Sequence, residues 1–249
     1  MQEPLGPRLR PTGMRTAVVA MMLCVPLLLA GCGNEAPVAD HGGQTTSSAP
    51  PSCTGSTGSA IHVTVQADLD GDGRPETVDY VDTPGCQALR AEVGGKSVTA
   101  PVAGDMALRQ GELAAVQIPG RTGQLVLARQ EHPRGGFQAR LYGYADGTLE
   151  ELTAEGKPIF DFIATDVLTT PTAATCTNDG FIVTQARRHQ PIGIVPAWDV
   201  FRTTYEVDGN VVRPGPTTKV ADNVLEKDFA TTYADLVHYS LFKDCLVAG

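Results

Sequence analysis

The sequence predicts a mainly β fold, in which antiparallel hairpins form a sandwich or a partial propeller-like domain and one α-helix follows at the C-terminus. Three observations support this prediction. Apolar and polar residues alternate in many short segments from residue 60 onward. Turn signals separate the segments, and two of them are the Asp-Gly pairs at 146–147 and 208–209. Near the C-terminus the alternation changes to helical spacing. Residues 60–249 are therefore expected to form one β-rich extracytoplasmic domain.

The first strand is predicted where Ile61, Val63 and Val65 alternate with polar residues. Further strands are predicted at 76–81, 88–93, 97–102, 113–118, 124–129, 137–144 and 181–187. An Asp-Gly pair supplies the positive φ that a two-residue hairpin loop needs. We therefore expect one hairpin to join 137–144 to 149–152, and another to join 198–207 to 211–213. The similarity of these two hairpins is a weak sign of internal repetition.

The C-terminal region has the spacing of an amphipathic helix. Its apolar residues recur three or four positions apart, which places them on one face of a helix. They are Leu225, Phe229, Tyr233, Leu236, Val237 and Leu241. The pattern predicts one helix over residues 226–243.

The N-terminal region has the features of a secretory signal. Three arginines precede an apolar run at 17–30, which is shorter than the roughly 20 residues that span a bilayer. The run ends in Leu-Ala-Gly-Cys at 29–32, an order that resembles the lipobox of bacterial lipoproteins. The resemblance implies that residues 1–31 are removed and that the thiol of Cys32 is lipidated. A secreted protein with a chance cysteine is the alternative, and Met14 would make a more ordinary start than Met1.

A flexible tether is expected behind the lipidated cysteine. Residues 33–59 are rich in Gly, Ser, Thr, Ala and Pro, and such a composition does not bury a core. A flexible chain of about 27 residues has a typical span of roughly 30 Å. Together with the lipidated Cys32, the tether forms the segment 32–59. It would hold the domain clear of the lipid headgroups.

The charge of the mature chain limits its partners. Removal of residues 1–31 takes three arginines and one glutamate from 19 basic and 28 acidic residues, which leaves 16 and 27 and a net charge of −11. An acidic protein repels nucleic acid and anionic headgroups. No nucleic acid partner is expected, and contact with the membrane is expected through the lipid anchor alone.

Four cysteines remain for the exported domain after Cys24 leaves with the signal and Cys32 takes the lipid. An even number in an oxidising compartment predicts two disulfides, and four cysteines allow three connectivities. The pairing we expect is Cys53 with Cys86 and Cys176 with Cys245. The absence of a C-x-x-C pair argues against zinc or a redox site.

One motif predicts a metal site. Residues 68–76 read Asp-Leu-Asp-Gly-Asp-Gly-Arg-Pro-Glu, and Ca²⁺ prefers six to eight oxygen ligands at about 2.3–2.6 Å. Side chains at alternate positions of a tight loop can supply them, with a glycine at the sharp turn. With Asp68 as the first position, the predicted ligands are Asp68, Asp70, Asp72, the Arg74 carbonyl, Glu76 and, at the twelfth position, Asp79.

The flanking segments distinguish this motif from an EF-hand, because they alternate like strands. The loop resembles the calcium loop of FG-GAP and VCBS-type repeats in bacterial surface proteins, where the ninth position is usually Asp and here is Glu76. The resemblance covers about 14 residues and occurs once, so it does not imply a complete propeller. We expect a bound calcium ion to be structural, because a cage made entirely of protein ligands leaves little room for a substrate. The alternative is a solvated acidic turn without a metal.

Two functions remain open. The first is a calcium-stabilised binding or scaffold module of unknown ligand, acting on an envelope or protein partner. The second is an envelope hydrolase whose site is assembled from scattered residues around His132 and His189. No local catalytic motif occurs, which favours the first function. Trp198 is expected in the core or an interface, and His62 and His238 on outer faces.

Overall fold

The structure is a computed structural model that describes residues 63–83, 86–104, 107–109, 111–133, 135–165, 170–189 and 196–247. The predicted signal peptide, Cys32, the tether, Cys53 and His62 lie outside these residues, and so does the side chain of His189. The described chain is mainly β, with antiparallel sheets and a short helical segment near the C-terminus. The predicted fold class is confirmed.

The first sheet is a four-stranded antiparallel meander in the order β1-β2-β3-β4. Its strands are β1 (Val63–Ala67), β2 (Glu76–Thr83), β3 (Cys86–Val93) and β4 (Lys96–Pro101). Each predicted strand of this region is present with slightly different ends. The link from β1 to β2 is the acidic loop, so this loop lies between two paired strands.

The second sheet repeats this arrangement in the order β5-β6-β7-β8. Its strands are β5 (Leu113–Val116), β6 (Leu125–Glu131), β7 (Phe137–Ala145) and β8 (Thr148–Glu151). The hairpin predicted at Asp146-Gly147 is confirmed, since Ala145 pairs with Thr148. Both loop residues have positive φ, 51° and 79°, as a two-residue turn requires.

The third sheet has six strands in the order β10-β9-β14-β13-β12-β11. They are β9 (Thr153–Ala154), β10 (Lys157–Pro158), β11 (Thr172–Thr177), β12 (Gly180–His189), β13 (Ala197–Asp208) and β14 (Val211–Leu225). The second predicted hairpin joins β13 to β14, with Asp208 paired to Val211. Its loop residues are Gly209 and Asn210, one position later than the Asp-Gly pair suggests. Strands β9 to β11 were not predicted.

The second sheet lies between two hydrophobic cores, and its strands contribute to both by alternation. Val126, Ala128 and Tyr142 pack with residues of the first sheet. Leu127 and Leu141 point the other way and pack with residues of the third sheet. Burial on both faces explains why β6 begins with an uninterrupted apolar run.

The C-terminal helical segment is shorter than the predicted helix over 226–243. It consists of α1 (Glu226–Thr232) and α2 (Ala234–Val237), which are separated at Tyr233 with φ −125° and ψ 47°. Beyond α2 the backbone turns through left-handed φ values at Tyr239 and Phe242. These turns bring Leu241 and Phe242 into the core between the second and third sheets. That burial explains why the apolar spacing continues past the end of the helix.

The last residues of the described chain join two sheets. The backbone of 245–247 pairs with β5, through Gln117 N to Cys245 O at 2.9 Å and Val247 N to Ala115 O at 2.9 Å. Cys245 also forms a disulfide with Cys176 of β11, with Cα atoms 6.3 Å apart. This predicted disulfide is therefore present. Cys86 is likewise disulfide-bonded, and its predicted partner Cys53 lies outside the described residues.

Within the described residues, no helix is long and apolar enough to cross a membrane. Trp198 is 1% exposed and stacks on Phe229 with ring centroids 4.6 Å apart, which confirms its predicted place in the core. His238 is exposed on α2's C-terminal side, as predicted.

Candidate metal loop and adjoining cleft

The loop between β1 and β2 brings three of its predicted ligands together. Carboxylate oxygens of Asp68, Asp70 and Glu76 all lie within 4.8 Å of one another. Oxygens that share one Ca²⁺ are separated by at most about 5 Å, twice the contact distance. The three carboxylates therefore fit a common cation.

The backbone of the loop is shaped by hydrogen bonds to its own aspartates. Asp68 accepts from Gly71 N through Oδ1 at 2.8 Å and from Gly73 N through Oδ2 at 3.0 Å. Both glycines have positive φ, 75° and 86°, which other residues adopt only with strain. Asp70 Oδ1 accepts from Asp72 N at 3.1 Å. The alternating Asp-Gly spacing thus folds the chain around Asp68.

Two of the other predicted ligands, Asp72 and Asp79, are not in this group. Asp72 is exposed and accepts a hydrogen bond from Arg74 N at 2.7 Å, and it is not one of the three grouped carboxylates. Asp79 is in β2, opposite Thr64 and Arg90. An extended strand advances about 3.3 Å per residue, which carries position 79 about 10 Å beyond Glu76. A strand in this place therefore separates the twelfth position from the group.

Glu76 links the group to the backbone of the loop. Its Oε2 accepts a hydrogen bond from Leu69 N at 2.8 Å, across the start of the hairpin. Burial raises the pKa of the Glu76 carboxyl, and the charges of Asp70 and Asp68 raise it further, against the opposing effect of the Leu69 N–H. A nearby cation would relieve both the burial cost and the repulsion.

A segment from the second sheet supports the loop. Gln124 N donates to Asp68 O at 2.6 Å, and Asp68 N donates to Gln124 Oε1 at 2.9 Å. A Cβ on Gly71 would lie 2.5 Å from the Thr122 methyl carbon and 2.7 Å from Gly123 N. Glycine at 71 is therefore required by this close approach as well as by its φ. The sequence analysis did not predict that Gln124 and residues 118–124 support the loop.

Arg121 connects the same segment to the third sheet. Its Nη1 donates to the carbonyls of Thr122 at 2.7 Å and Gly123 at 3.0 Å, and its Nη2 donates to Gly209 O at 3.3 Å. Burial lowers the pKa of the guanidinium, which has no ionic partner among the described residues. No sequence signal marks this residue, because its partners depend on the fold.

A cleft of about 410 Å³ opens where these parts meet. Asp70 of the loop, Arg121, and the two predicted hairpins at Asp146 and Asp208 all line it. The hairpins lie close together, since a Cβ added to Gly209 would lie 3.5 Å from Ala145 Cβ. Two turns predicted as separate features of the sequence are thus neighbours beside the acidic loop.

Of the two histidines of the alternative hypothesis, His132 is not in the lining of this cleft, and the side chain of His189 lies outside the described residues. His132 is in a tight turn, with His132 N donating to Gly136 O at 2.8 Å and Gly135 N to His132 O at 3.1 Å. Its ring packs edge-on against Phe162, with centroids 5.5 Å apart. The neighbouring Glu131 pairs with Arg129 at 2.6 Å.

No protein family, curated protein or solved structure matches this chain.

Proposed function

We propose that this protein is a lipoprotein anchored through Cys32 at the outer face of a cell membrane, where its β-rich domain acts as a calcium-stabilised binding or scaffold module. The observation that carries the calcium part is the group of Asp68, Asp70 and Glu76, whose oxygens lie within 4.8 Å. The lipid part depends on the Leu-Ala-Gly-Cys motif at 29–32. A ligand of the module belongs to the envelope or to a protein partner at the cell surface.

The role of the cation is structural. The carboxylates of Asp68 and Glu76 accept hydrogen bonds from backbone N–H groups of the loop, and Gln124 joins the loop to the second sheet. A cation held by three carboxylates would fix the β1–β2 link and, through residues 118–124, the hairpin at Gly209. It would therefore stabilise the junction of three sheets around the 410 Å³ cleft. Even a weak site would fill at the millimolar calcium of external media.

A binding role is preferred to the hydrolase because of what lines the clefts. Besides the cleft at the acidic loop, clefts of about 420 Å³ and 220 Å³ occur in the described part of the chain. The described residues that line these three clefts include no histidine, and the side chain of His189 lies outside the described residues. A hydrolase built on His132 would need a substrate cleft at the His132 turn.

The calcium part is tested by thermal unfolding of the full-length protein in detergent, with chelator and with millimolar calcium. At 100 times Kd, a ligand that binds only the folded state adds about 2.7 kcal/mol. For a domain of this size, 1 kcal/mol corresponds to about 2–4 °C, so we expect a rise in Tm of several degrees. Asp70→Ala should abolish most of the rise.

Asp79→Asn is the matched control, because Asp79 lies in β2 outside the group. It should retain the calcium-dependent rise. An equal Tm with chelator and with calcium would contradict the calcium part and leave an acidic turn. Loss of the rise in Asp79→Asn but not in Asp70→Ala would contradict the proposed ligand set.

A further inference from the structure

A second cleft lies on the opposite face of the third sheet from the second sheet, beside the two helices, and we call it the helix-side cleft. It has a volume of about 420 Å³ and lies between the strands β11 to β13 and the segment 231–236. Small-molecule sites have volumes of roughly 300–1,000 Å³, so the helix-side cleft is large enough for a small ligand. Trp198, Phe229 and Leu236 form the apolar core next to it.

Arg202 supplies a positive charge to the helix-side cleft. It lies on β13 directly opposite Thr184 of β12 and is exposed to solvent. Its guanidinium has no hydrogen-bonding or ionic partner among the described residues. The second cation, Lys243, is already paired with Asp235. Arg202 therefore leaves an uncompensated positive charge in this cleft, in a chain whose net charge is −9.

Four threonines add hydroxyl groups on two sides of the helix-side cleft. Thr175 and Thr184 come from the sheet, and Thr231 and Thr232 from the helical segment. Their hydroxyls form no hydrogen bond with the rest of the described chain. Each can donate and accept, so the cleft offers several free partners to a ligand with hydroxyl groups. Tyr233 contributes an aromatic ring to the same lining.

The register of the sheet places these groups within reach of one ligand. Thr184 is paired across strands with Ala173 on one side and Arg202 on the other. Directly opposed residues have Cβ atoms about 4.5–5.5 Å apart. A planar guanidinium binds carboxylate or phosphate oxygens through two parallel hydrogen bonds. An anionic group on Arg202 would therefore place the rest of a small ligand over the threonines.

We propose that the helix-side cleft binds a sugar or polyol that carries a phosphate or carboxylate group. The inference rests on the binding role proposed above and names the chemical class of its ligand, but it is independent of calcium. A divalent cation does not fit, since Asp235 is the one carboxylate of the lining and it is paired with Lys243.

The test is calorimetric titration of the full-length protein in detergent with four probes: glucose 6-phosphate, glucuronic acid, glucose and inorganic phosphate. We expect at least one anionic sugar to bind more tightly than glucose and than inorganic phosphate. Preference for glucose 6-phosphate identifies a phosphate ligand, and preference for glucuronic acid identifies a carboxylate. Binding of inorganic phosphate as tightly as either sugar would overturn the polyol part. No binding of any probe would overturn the proposal.

Amino-acid substitutions then test whether the preferred probe binds in the helix-side cleft. Arg202→Gln should weaken binding of the preferred probe at least about tenfold, as expected for a lost charge-assisted hydrogen bond, and Thr184→Val about fivefold. Arg90→Gln is the matched control, because Arg90 is also an exposed strand arginine but lies on β3. It should bind like the unmodified protein. Equal weakening by Arg90→Gln and Arg202→Gln would overturn the location.

Two further measurements separate this proposal from the calcium site. Asp70→Ala should still bind the probe, and Arg202→Gln should keep the calcium-dependent rise in Tm. In the unmodified protein, the probe should shift the amide resonances of Thr184 and Tyr233, which tests the location without any substitution. Shifts confined to residues outside the helix-side cleft would overturn it.

Discussion

Asp68 and Gln124 exchange two hydrogen bonds across 56 positions of sequence, one from Gln124 N to Asp68 O at 2.6 Å and one from Asp68 N to Gln124 Oε1 at 2.9 Å. The first residue of the acidic loop is thereby fixed to the start of β6. Calcium affinity should therefore depend on Gln124, although Gln124 contributes no ligand to the ion.

Gln124→Ala should lower both the stability and the calcium response of the domain. The substitution leaves Asp68 N without its acceptor, which costs about 1–3 kcal/mol when the group is buried and less here, where it is half-buried. Chemical denaturation with chelator measures the first effect, and the calcium-dependent rise in Tm measures the second. Gln66→Ala is the control, since Gln66 bonds only Thr77 on the exposed side of the same hairpin. An unchanged calcium response in Gln124→Ala would contradict the coupling.

Cys32→Ser should abolish lipidation, because the thiol is the proposed acylation site. Metabolic labelling with a fatty-acid analogue measures it. Cys24→Ser is a matched control, because this cysteine lies inside the apolar run of the signal. The control should be labelled normally. Label that persists on Cys32→Ser would contradict the lipid anchor.

Removal of the Cys176–Cys245 disulfide should destabilise the domain by about 2–5 kcal/mol. The double variant Cys176→Ser with Cys245→Ser avoids a free thiol, and its Tm should fall by roughly 5–15 °C. Peptide mapping without reduction should recover Cys176 with Cys245 and Cys53 with Cys86. Recovery of Cys86 with another cysteine would refute the second pairing alone.

Glu151 should make stability depend on pH. Burial raises the pKa of its carboxyl, and Arg140, 3.1 Å away, lowers it by a smaller amount. The folded state therefore holds the proton more tightly than the unfolded state does. The resulting stabilisation is complete below the unfolded pKa and is lost as pH rises through the folded pKa.

Glu151→Gln keeps the side chain neutral at every pH, so the unmodified protein should lose stability relative to this variant as pH rises above the ordinary glutamate pKa of 4.5. Denaturation curves at several pH values measure the difference. Glu150→Gln, at the exposed neighbouring position, should show no such trend. A constant difference between the unmodified protein and Glu151→Gln across this range would refute the assignment.

Local chemistry explains which parts of the fold were predictable. Alternation and Asp-Gly turns act over a few residues, so the hairpins at 146–147 and 208–209 were placed to within about one residue. The β11–β12 hairpin was missed although Asp179-Gly180 marks its turn, because β11 is composed of threonine, alanine and cysteine and has little apolar contrast. Strands β9 and β10 have two residues each, too few for a period.

In the candidate site, too, the residues that are close in sequence were predictable and the distant ones were not. The grouping of Asp68, Asp70 and Glu76 follows from their spacing within nine residues. Asp79 is the twelfth position of an EF-hand loop, in which a helix follows, whereas in this protein Asp79 lies in a strand. Arg121 and Gln124 reach the loop and the Gly209 hairpin from far along the chain. Contacts of that range depend on how sheets pack, and a single sequence carries no local signal for them.

The pairing of residues 245–247 with β5 has a consequence for how the domain is completed. The hydrogen bonds of Gln117 with Cys245 and of Ala115 with Val247 span about 130 positions, so they close one of the largest loops of the chain. Contacts between residues so far apart in sequence are slow to form, because closing the loop between them costs conformational entropy before the contacts stabilise the fold. Until then the outer edge of β5 has unpaired backbone groups, which can template association with a neighbouring chain. By pairing with β5, residues 245–247 cover this edge and protect the folded domain from association with a neighbouring chain.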